Sequence, residues 1–265
     1  MKYTVAALLG LVASKKSEVN KDKCLALSMS GGGSLGSYEA GGIWGMYFES
    51  EDKTKFEYDI LTGVSAGAIN TVAMAVFEQG DEDAMIRDVS KRWEYLTQDE
   101  LEVRWKPLGV VTGIKKESGV FNTAPLGKYI ADFLAEHDNT FQRKFVVSAV
   151  DVNSGSYRLY DETYDDPVKA VLSSSAIPFV FPNQKHPDGA VDMDGGTVFG
   201  LNLVSAVQRC REIVDDDSKI TIDIIVCHDV KEMPPWENRD SAVSNFLYFD
   251  TIKQVYKSSA DIYEF

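Results

Sequence analysis

A serine flanked by small residues is the first pattern in this chain that could do covalent chemistry. Gly63-Val64-Ser65-Ala66-Gly67 fits G-x-S-x-G, follows a strand-like run at 56–62 and precedes an alanine-rich stretch with helical character. In that setting Ser65 is predicted to lie on a sharp strand-to-helix turn, where its hydroxyl can attack an ester and the helix N-terminus stabilises negative charge. The alternative is a tight turn in which Ser65 only caps the helix.

A run of glycines near the N-terminus is the second chemical feature. Gly31-Gly32-Gly33-Ser34-Leu35-Gly36 follows a strand-like run at 24–30 and opens a predicted helix. Because no Cβ stands in the way, the backbone N–H groups of this run can form an oxyanion hole for a tetrahedral intermediate. A phosphate-binding loop and a plain turn are the rival interpretations, although the Lys-Ser/Thr pair of a P-loop does not follow.

An acidic residue before two glycines is the third feature. Asp194 precedes Gly195 and Gly196 in a short run that begins at Val191. A carboxylate can accept the proton of a nucleophilic serine as a general base. Taken alone, an Asp-Gly pair is more typical of a turn, so the interpretation of Asp194 depends on the other two patterns.

In the order glycine run, serine elbow, aspartate, these patterns resemble the patatin-like phospholipase family. Ser173-Ser174-Ser175-Ala176-Ile177-Pro178 resembles the family's stretch before its aspartate, and the run from Ser148 to Gly155 resembles its central strand and turn. The resemblance covers about residues 24–230 and implies a three-layer α/β/α fold with a mainly parallel central sheet. It also implies a lipid acyl hydrolase of the phospholipase A type, which cleaves carboxylic esters through a Ser-Asp dyad and an acyl-enzyme intermediate without a metal or cofactor.

The resemblance extends to single residues of this chain. It implies that Ser65 is the nucleophile, that Asp194 is the base and that Gly31, Gly32 and Gly33 supply the oxyanion hole. The remaining motif glycines that it implies are Gly36, Gly63, Gly67, Gly195 and Gly196.

Two other functions fit parts of the sequence. A conventional lipase uses a Ser-Asp-His triad with the histidine last along the chain, and His228 has that position. His186 lies in a loop before Asp194 and could line the pocket, whereas His137 lies at a polar helix end. A non-catalytic lipid-binding protein is the second alternative, favoured by Leu35, which occupies the position of the family's usual Arg or Lys.

The elements that must position these residues alternate between strands and helices. The order strand, glycine turn, helix occurs twice before residue 78, which is typical of a parallel sheet covered by helices. Further strands are predicted at 144–150, 156–160 and 219–227. Helices are predicted over much of 81–140, from Pro167 to about Ser174, and as an amphipathic terminal segment after Pro234-Pro235.

The N-terminus predicts export. Residues 1–14 resemble a signal peptide, because Lys2 precedes a short apolar run that ends in the small residues Val12-Ala13-Ser14. A polar segment at 15–23 and the hydrolase domain at 24–265 follow, and the mature protein is expected to be secreted or lumenal. In an oxidising compartment two of the three cysteines (Cys24, Cys210 and Cys227) could pair, and three buried thiols are the alternative.

Charge limits the partners. The formal net charge of −14 repels nucleic-acid phosphates, so no nucleic-acid partner is expected. The same charge opposes electrostatic docking on anionic membranes. A lipid substrate, and a membrane or micelle surface that is touched transiently, would have to be held by exposed apolar groups or local basic patches.

Overall fold

A mainly parallel β-sheet forms the centre of the computed structural model, which describes residues 22–227 and 241–265. The parallel strands, in spatial order β5-β2-β1-β9, are β1 (Cys24–Met29), β2 (Ile60–Gly63), β5 (Lys144–Asp151) and β9 (Ile220–Ile225). Antiparallel pairing extends the sheet at β5, which pairs with β6 (Tyr157–Asp161) and with β8 (Val191–Asp194), and β8 pairs in turn with β7 (Gln184–Lys185). A separate small sheet pairs β3 (Val103–Arg104) with β4 (Phe121–Asn122).

Helices cover both faces of the sheet because its middle strands are apolar on both. In β1, Leu25, Leu27 and Met29 enter the larger core, while the alternating Cys24 and Ala26 enter a smaller one. The helices are α1 (Gly36–Glu49), α2 (Ala66–Ala75), α3 (Glu82–Tyr95), α4 (Gln98–Leu101), α5 (Val110–Lys116), α6 (Ala124–Glu136), α7 (Pro167–Ser174), α8 (Leu203–Cys210) and α9 (Ala242–Tyr263). Because α1, α2, α3, α6 and α7 cover the larger core and α8 covers the smaller one, the predicted three-layer α/β/α fold is confirmed.

Local sequence accounts for where the elements begin. Helix α7 starts at Pro167 as predicted, since Asp166 accepts a hydrogen bond from Lys169 N at 2.9 Å and proline suits the first helical turn. The strand predicted at 56–62 is wrong in its first half. Lys53–Phe56 instead form a short 3₁₀ helix, which Asp52 caps by accepting a hydrogen bond from Thr54 N at 3.1 Å.

A disulfide between Cys24 and Cys210 ties β1 to α8, with the two Cα atoms 5.6 Å apart, and Cys227 is a free thiol. A pair with one thiol remaining is therefore the arrangement of the cysteines in the structure. Within residues 22–227 and 241–265, the helices are all too short or too polar to cross a membrane. The predicted signal peptide and most of the polar segment after it lie outside the described residues.

Candidate active site

Ser65 lies at the turn between β2 and α2, as predicted. Its backbone has φ 55° and ψ −117°, in the left-handed half of conformational space that non-glycine residues rarely occupy. The glycines beside it are required by packing. A Cβ on Gly63 would overlap the carbonyl of Gly67, and a Cβ on Gly67 would lie 2.5 Å from the carbonyl oxygen of Met29. This is the backbone of a nucleophile elbow.

The register of β5 brings Asp194 to the elbow. Strand β6 pairs along one edge of β5, so β2 and β8 must share the other edge. On that edge Gly63 pairs with Val147, and Asp194 pairs with Ala149. The carboxyl ends of β2 and β8 therefore approach each other head to head, about 7 Å apart along β5 at the usual rise per residue.

One short segment at the end of α7 binds both sides of this meeting point. Ser65 N donates to Ser174 Oγ at 2.9 Å, and Ser175 Oγ donates to Ser65 O at 3.2 Å. Asp194 N donates to the carbonyl of Ala176 at 3.0 Å. These contacts fix the backbones of Ser65 and Asp194 relative to one another. A serine triplet carries no sequence signal for its bonding partners, so only the family resemblance marks this run.

The Asp194 side chain is almost fully buried, with 5% of the residue exposed, as is Ser65. Asp194 Oδ1 accepts a hydrogen bond from Gly196 N at 2.7 Å, which caps the short 3₁₀ helix Gly195–Thr197. A Cβ on Gly195 would overlap the carbonyl of Ser148, so only glycine lets this turn approach β5. The predicted Asp-Gly turn and the predicted approach of Asp194 to the elbow are thus parts of one arrangement.

The glycine run lies against Ser65 from the other side. A Cβ on Gly31 would lie 3.3 Å from the Cβ of Ser65. Gly31 N donates to the carbonyl of Gly200 at 3.2 Å. Gly33 has φ 58°, and within the described residues the N–H groups of Gly32 and Gly33 are not engaged in hydrogen bonds. Of the three predicted oxyanion donors, Gly32 and Gly33 are therefore the available pair in this structure.

A cavity of about 380 Å³ joins these groups. Its inner wall contains the glycine run, Ser65 and Asp194, and its outer wall contains Phe246, Phe249 and Lys253 of α9. The remaining residues that line the cavity are Ile177, Pro178, Thr197, Thr251 and Gln254. The two phenylalanines are 50% and 54% exposed, so the outer wall presents apolar surface to solvent.

Helix α9 is fixed to the loop that follows Asp194. Lys257 Nζ donates to the carbonyls of Gly196, at 3.1 Å, and of Thr197. Asp261 accepts hydrogen bonds from Gly200 N at 2.6 Å and Leu201 N at 3.0 Å. The sequence predicted α9 as an amphipathic helix but gave no sign that it would wall the cavity.

The histidines stand apart from the cavity in the described part of the chain. His186 is buried elsewhere, with Nε2 3.1 Å from Asp192 Oδ2 and Nδ1 3.0 Å from the Tyr164 hydroxyl. Burial lowers the pKa of His186. His137 packs beside Phe133, and His228 lies outside the described residues. The expectation that His186 could line the pocket is therefore wrong.

Fold and site together define a three-layer α/β protein with a serine elbow, an aspartate and a glycine run on one cavity. The family model described as patatin-like phospholipase matches residues 27–207, a span that includes Ser65, Asp194 and the Gly31–Gly36 run. The chain belongs to the patatin-like phospholipase family, as the resemblance predicted, and the family is one of lipid acyl hydrolases.

A search of curated proteins gives no significant match. The chain is similar to VipD from Legionella pneumophila, at 14% identity and a TM-score of 0.44. The similarity covers 86% of this chain and 52% of that one, so the chain spans about half the length of VipD.

Proposed function

We propose that the protein is a phospholipase A-type lipid acyl hydrolase that works through a Ser65–Asp194 dyad. The observation that carries the proposal is the meeting of a strained serine elbow, a buried aspartate and a glycine run on one wall of one cavity. A non-glycine residue held in this backbone region costs about 1–3 kcal/mol, and such strain is concentrated at functional sites.

The reaction proceeds in two acyl transfers. Ser65 Oγ attacks the ester carbonyl while its proton moves to the Asp194 carboxylate, and a tetrahedral intermediate forms. The intermediate collapses to an acyl-enzyme on Ser65 as the leaving alcohol takes the proton from Asp194. Water then attacks the acyl carbonyl, gives its proton to Asp194 and releases the fatty acid, after which the proton returns to Ser65.

The oxyanion is stabilised by the glycine run. Gly32 and Gly33 offer backbone N–H groups on the wall that also holds Ser65, and Gly31 joins them if its bond to Gly200 opens. The first turn of α2 adds a partial positive charge beside Ser65. Fixed donors of this kind contribute about 2.7–4 kcal/mol each to lowering the barrier.

Substrate enters past the aromatic rim, defined here as Phe179, Phe246 and Phe249. Phe179 and Phe246 are in edge contact, with ring centroids 6.2 Å apart, and Phe246 and Phe249 line the cavity. A net charge of −14 opposes electrostatic docking on anionic surfaces, so transient contact with a micelle or membrane must depend on exposed apolar groups. The aromatic rim supplies such groups. Lys253 at the mouth is a local positive charge among these aromatic groups.

Kinetics on a soluble nitrophenyl ester and a short-chain phosphatidylcholine test the proposal. Ser65→Ala is expected to lose about 10⁴-fold or more in kcat, because the nucleophile and base act as a unit. Asp194→Asn should lose about 10³-fold or more, since an amide cannot accept the proton. Circular dichroism and thermal melting must show that both variants are folded. Normal turnover by folded Ser65→Ala would refute the dyad, whereas absence of turnover by the folded wild type would favour the non-catalytic lipid-binding alternative.

The triad alternative is tested in the same assay. A dyad needs no imidazole, so His228→Ala should retain kcat/KM within about tenfold, a barrier change near 1.4 kcal/mol. A His228→Ala variant as inactive as Ser65→Ala would replace the dyad with a Ser-Asp-His triad.

We also propose that the protein is exported with residues 1–14 removed. The Cys24–Cys210 disulfide supports this, because such bonds persist in oxidising compartments. Mass spectrometry of protein from its native source should find a mature N-terminus near Lys15. Peptides from residues 1–13 in the native protein would contradict export by this route.

A further inference from the structure

A buried glutamate lies directly beneath the glycine run and takes no part in the proposed reaction. Glu39, on α1, has no exposed surface. Its Oε2 accepts a hydrogen bond from Asn70 Nδ2 at 2.9 Å, and Asn70 Nδ2 also donates to the carbonyl of Gly36 at 3.0 Å. Trp93 Nε1 completes the row by donating to Asn70 Oδ1 at 2.6 Å. Such a satisfied buried row fixes the backbone that it touches.

The other carboxyl oxygen faces the free thiol. Cys227 Sγ lies 3.3 Å from Glu39 Oε1 and 3.4 Å from the carbonyl oxygen of Leu35. The Cys227 side chain fills the space where a Cβ on Gly32 would lie. Leu35 N in turn donates to the carbonyl of Gly32 at 3.1 Å. Glu39, Cys227, Leu35 and Gly32 thus form a continuous chain of contacts that ends at a proposed oxyanion donor.

The proton count of these contacts differs between the two forms of Glu39. A thiol has one hydrogen, so Cys227 can donate to only one of the two oxygens near its sulfur. If Glu39 is neutral, its hydroxyl donates to Sγ and the thiol donates to the Leu35 carbonyl, so both contacts are satisfied. If Glu39 is ionised, the thiol donates to the carboxylate instead, and the Leu35 carbonyl loses its contact with the thiol hydrogen.

Charges around Glu39 agree with the neutral form. Helix α2 contains no charged residue, and on α3 the side chain of Arg92 pairs with Asp88 at 2.6 Å and with Glu136 at 2.7 Å. Within the described residues the titratable group that faces Glu39 is Cys227, whose own pKa burial raises. Burial raises the pKa of Glu39 from 4.5 to about 8.

We propose that neutral Glu39 is a positioning residue that holds the Gly31–Gly36 loop through Cys227 and Asn70 in the shape needed to bind the oxyanion. This inference rests on the proposed hydrolase function and adds that Glu39 must keep its carboxyl proton during turnover. It predicts that kcat falls as the pH rises through about 8.

The test compares Glu39→Gln, Glu39→Ala and the wild type on a soluble ester across that pH range. Glutamine mimics the neutral acid, since its oxygen can accept from Asn70 while its N–H donates to Cys227. Glu39→Gln should therefore keep kcat at neutral pH within about threefold and lose the fall in kcat near pH 8, whereas Glu39→Ala should lose about tenfold or more. Glu49→Gln, at the exposed end of the same helix, is the matched control and should keep the wild-type pH profile.

A second measurement does not depend on turnover. Between pH 4.5 and about 8 the folded chain keeps the Glu39 proton that the unfolded chain releases, so stability should fall as the pH rises through that window. Glu39→Gln should flatten this part of the profile of Tm against pH. Failure of wild-type hydrolysis would overturn the proposed function but leave this thermal test readable. The inference is overturned if Glu39→Gln is as inactive as Glu39→Ala, keeps the alkaline fall in kcat, or leaves the thermal profile unchanged.

Discussion

The two walls of the cavity are built differently. The inner wall is dense: the glycines around Ser65 and Asp194 touch neighbouring backbone, and both of these residues are 5% exposed. The outer wall is a single helix, α9, whose Phe246 and Phe249 are about half exposed. The inner wall lies within the family match at residues 27–207, whereas α9 lies beyond it.

Under the proposed function, this contrast separates chemistry from substrate choice. Acyl transfer needs a serine, a base and backbone donors at fixed distances, so the inner wall tolerates little change. Holding a lipid needs apolar area of roughly suitable shape, which a helix can supply with many sequences. We therefore expect substitutions on the inner wall to affect folding or kcat, and substitutions on the outer wall to affect the choice between dispersed and aggregated substrate.

The largest effect is expected from Gly67→Ala on the inner wall. The added Cβ would lie 2.5 Å from the Met29 carbonyl oxygen, so the elbow and β1 must separate, at a cost of about 3 kcal/mol or more. Gly41→Ala, on the exposed side of α1 with no atom within 4 Å of the new Cβ, is the matched control and should stabilise the fold by about 0.5–1 kcal/mol. Urea unfolding measures both, and equal effects would refute the tight packing of the elbow.

A smaller loss is expected from Ser174→Ala. The substitution removes the acceptor of the Ser65 N–H, and an unsatisfied buried donor costs about 1–3 kcal/mol. If the turn around Ser65 shifts to find a new partner for this N–H, kcat should drop by about tenfold to a hundredfold on a soluble ester. Ser218→Ala, at an exposed serine far along the chain, serves as the control. A Ser174→Ala variant with wild-type kcat would show that the end of α7 does not position Ser65 for the proposed reaction.

The smallest effect, and the one specific to the outer wall, is expected from Phe246→Ser. Removing half-exposed apolar surface should lower kcat/KM on phospholipid micelles about fivefold, but by less than about twofold on a monomeric ester. Tyr95→Ser, at an exposed aromatic residue outside the cavity, controls for general surface effects. Equal losses on both substrates, or the same loss for Tyr95→Ser, would show that the aromatic rim has no specific role in binding aggregated lipid.

Most of the inner wall could be predicted from sequence because its constraints are local. Gly63 and Gly67 are dictated by the turn around Ser65, and the alternation in β1 reflects burial on both faces of the sheet. Strand β8 was not predicted, since the run from Val191 to Asp194 is only four residues long and its buried side is the acidic one, Asp192 and Asp194. Pairing with β5 makes it a strand, and pairing partners are distant in sequence.

The contacts that hold the inner wall together could not be predicted from the sequence for the same reason. Ser174 and Ser65 are far apart along the chain, as are Cys227 and Glu39, and ordinary residue types at those positions give no signal of their partners. Helix α9 was predicted as amphipathic, but which surface its apolar face covers depends on the anchors at Lys257 and Asp261.

Covalent trapping tests the central claim most directly. The folded wild-type protein is treated with a fluorophosphonate, digested and mapped by mass spectrometry, with Ser65→Ala and Asp194→Asn treated in parallel. We expect one adduct, on Ser65, that is absent from Ser65→Ala and forms far more slowly in Asp194→Asn. An adduct on a different serine, or labelling of Ser65 at an undiminished rate in Asp194→Asn, would contradict the Ser65–Asp194 dyad.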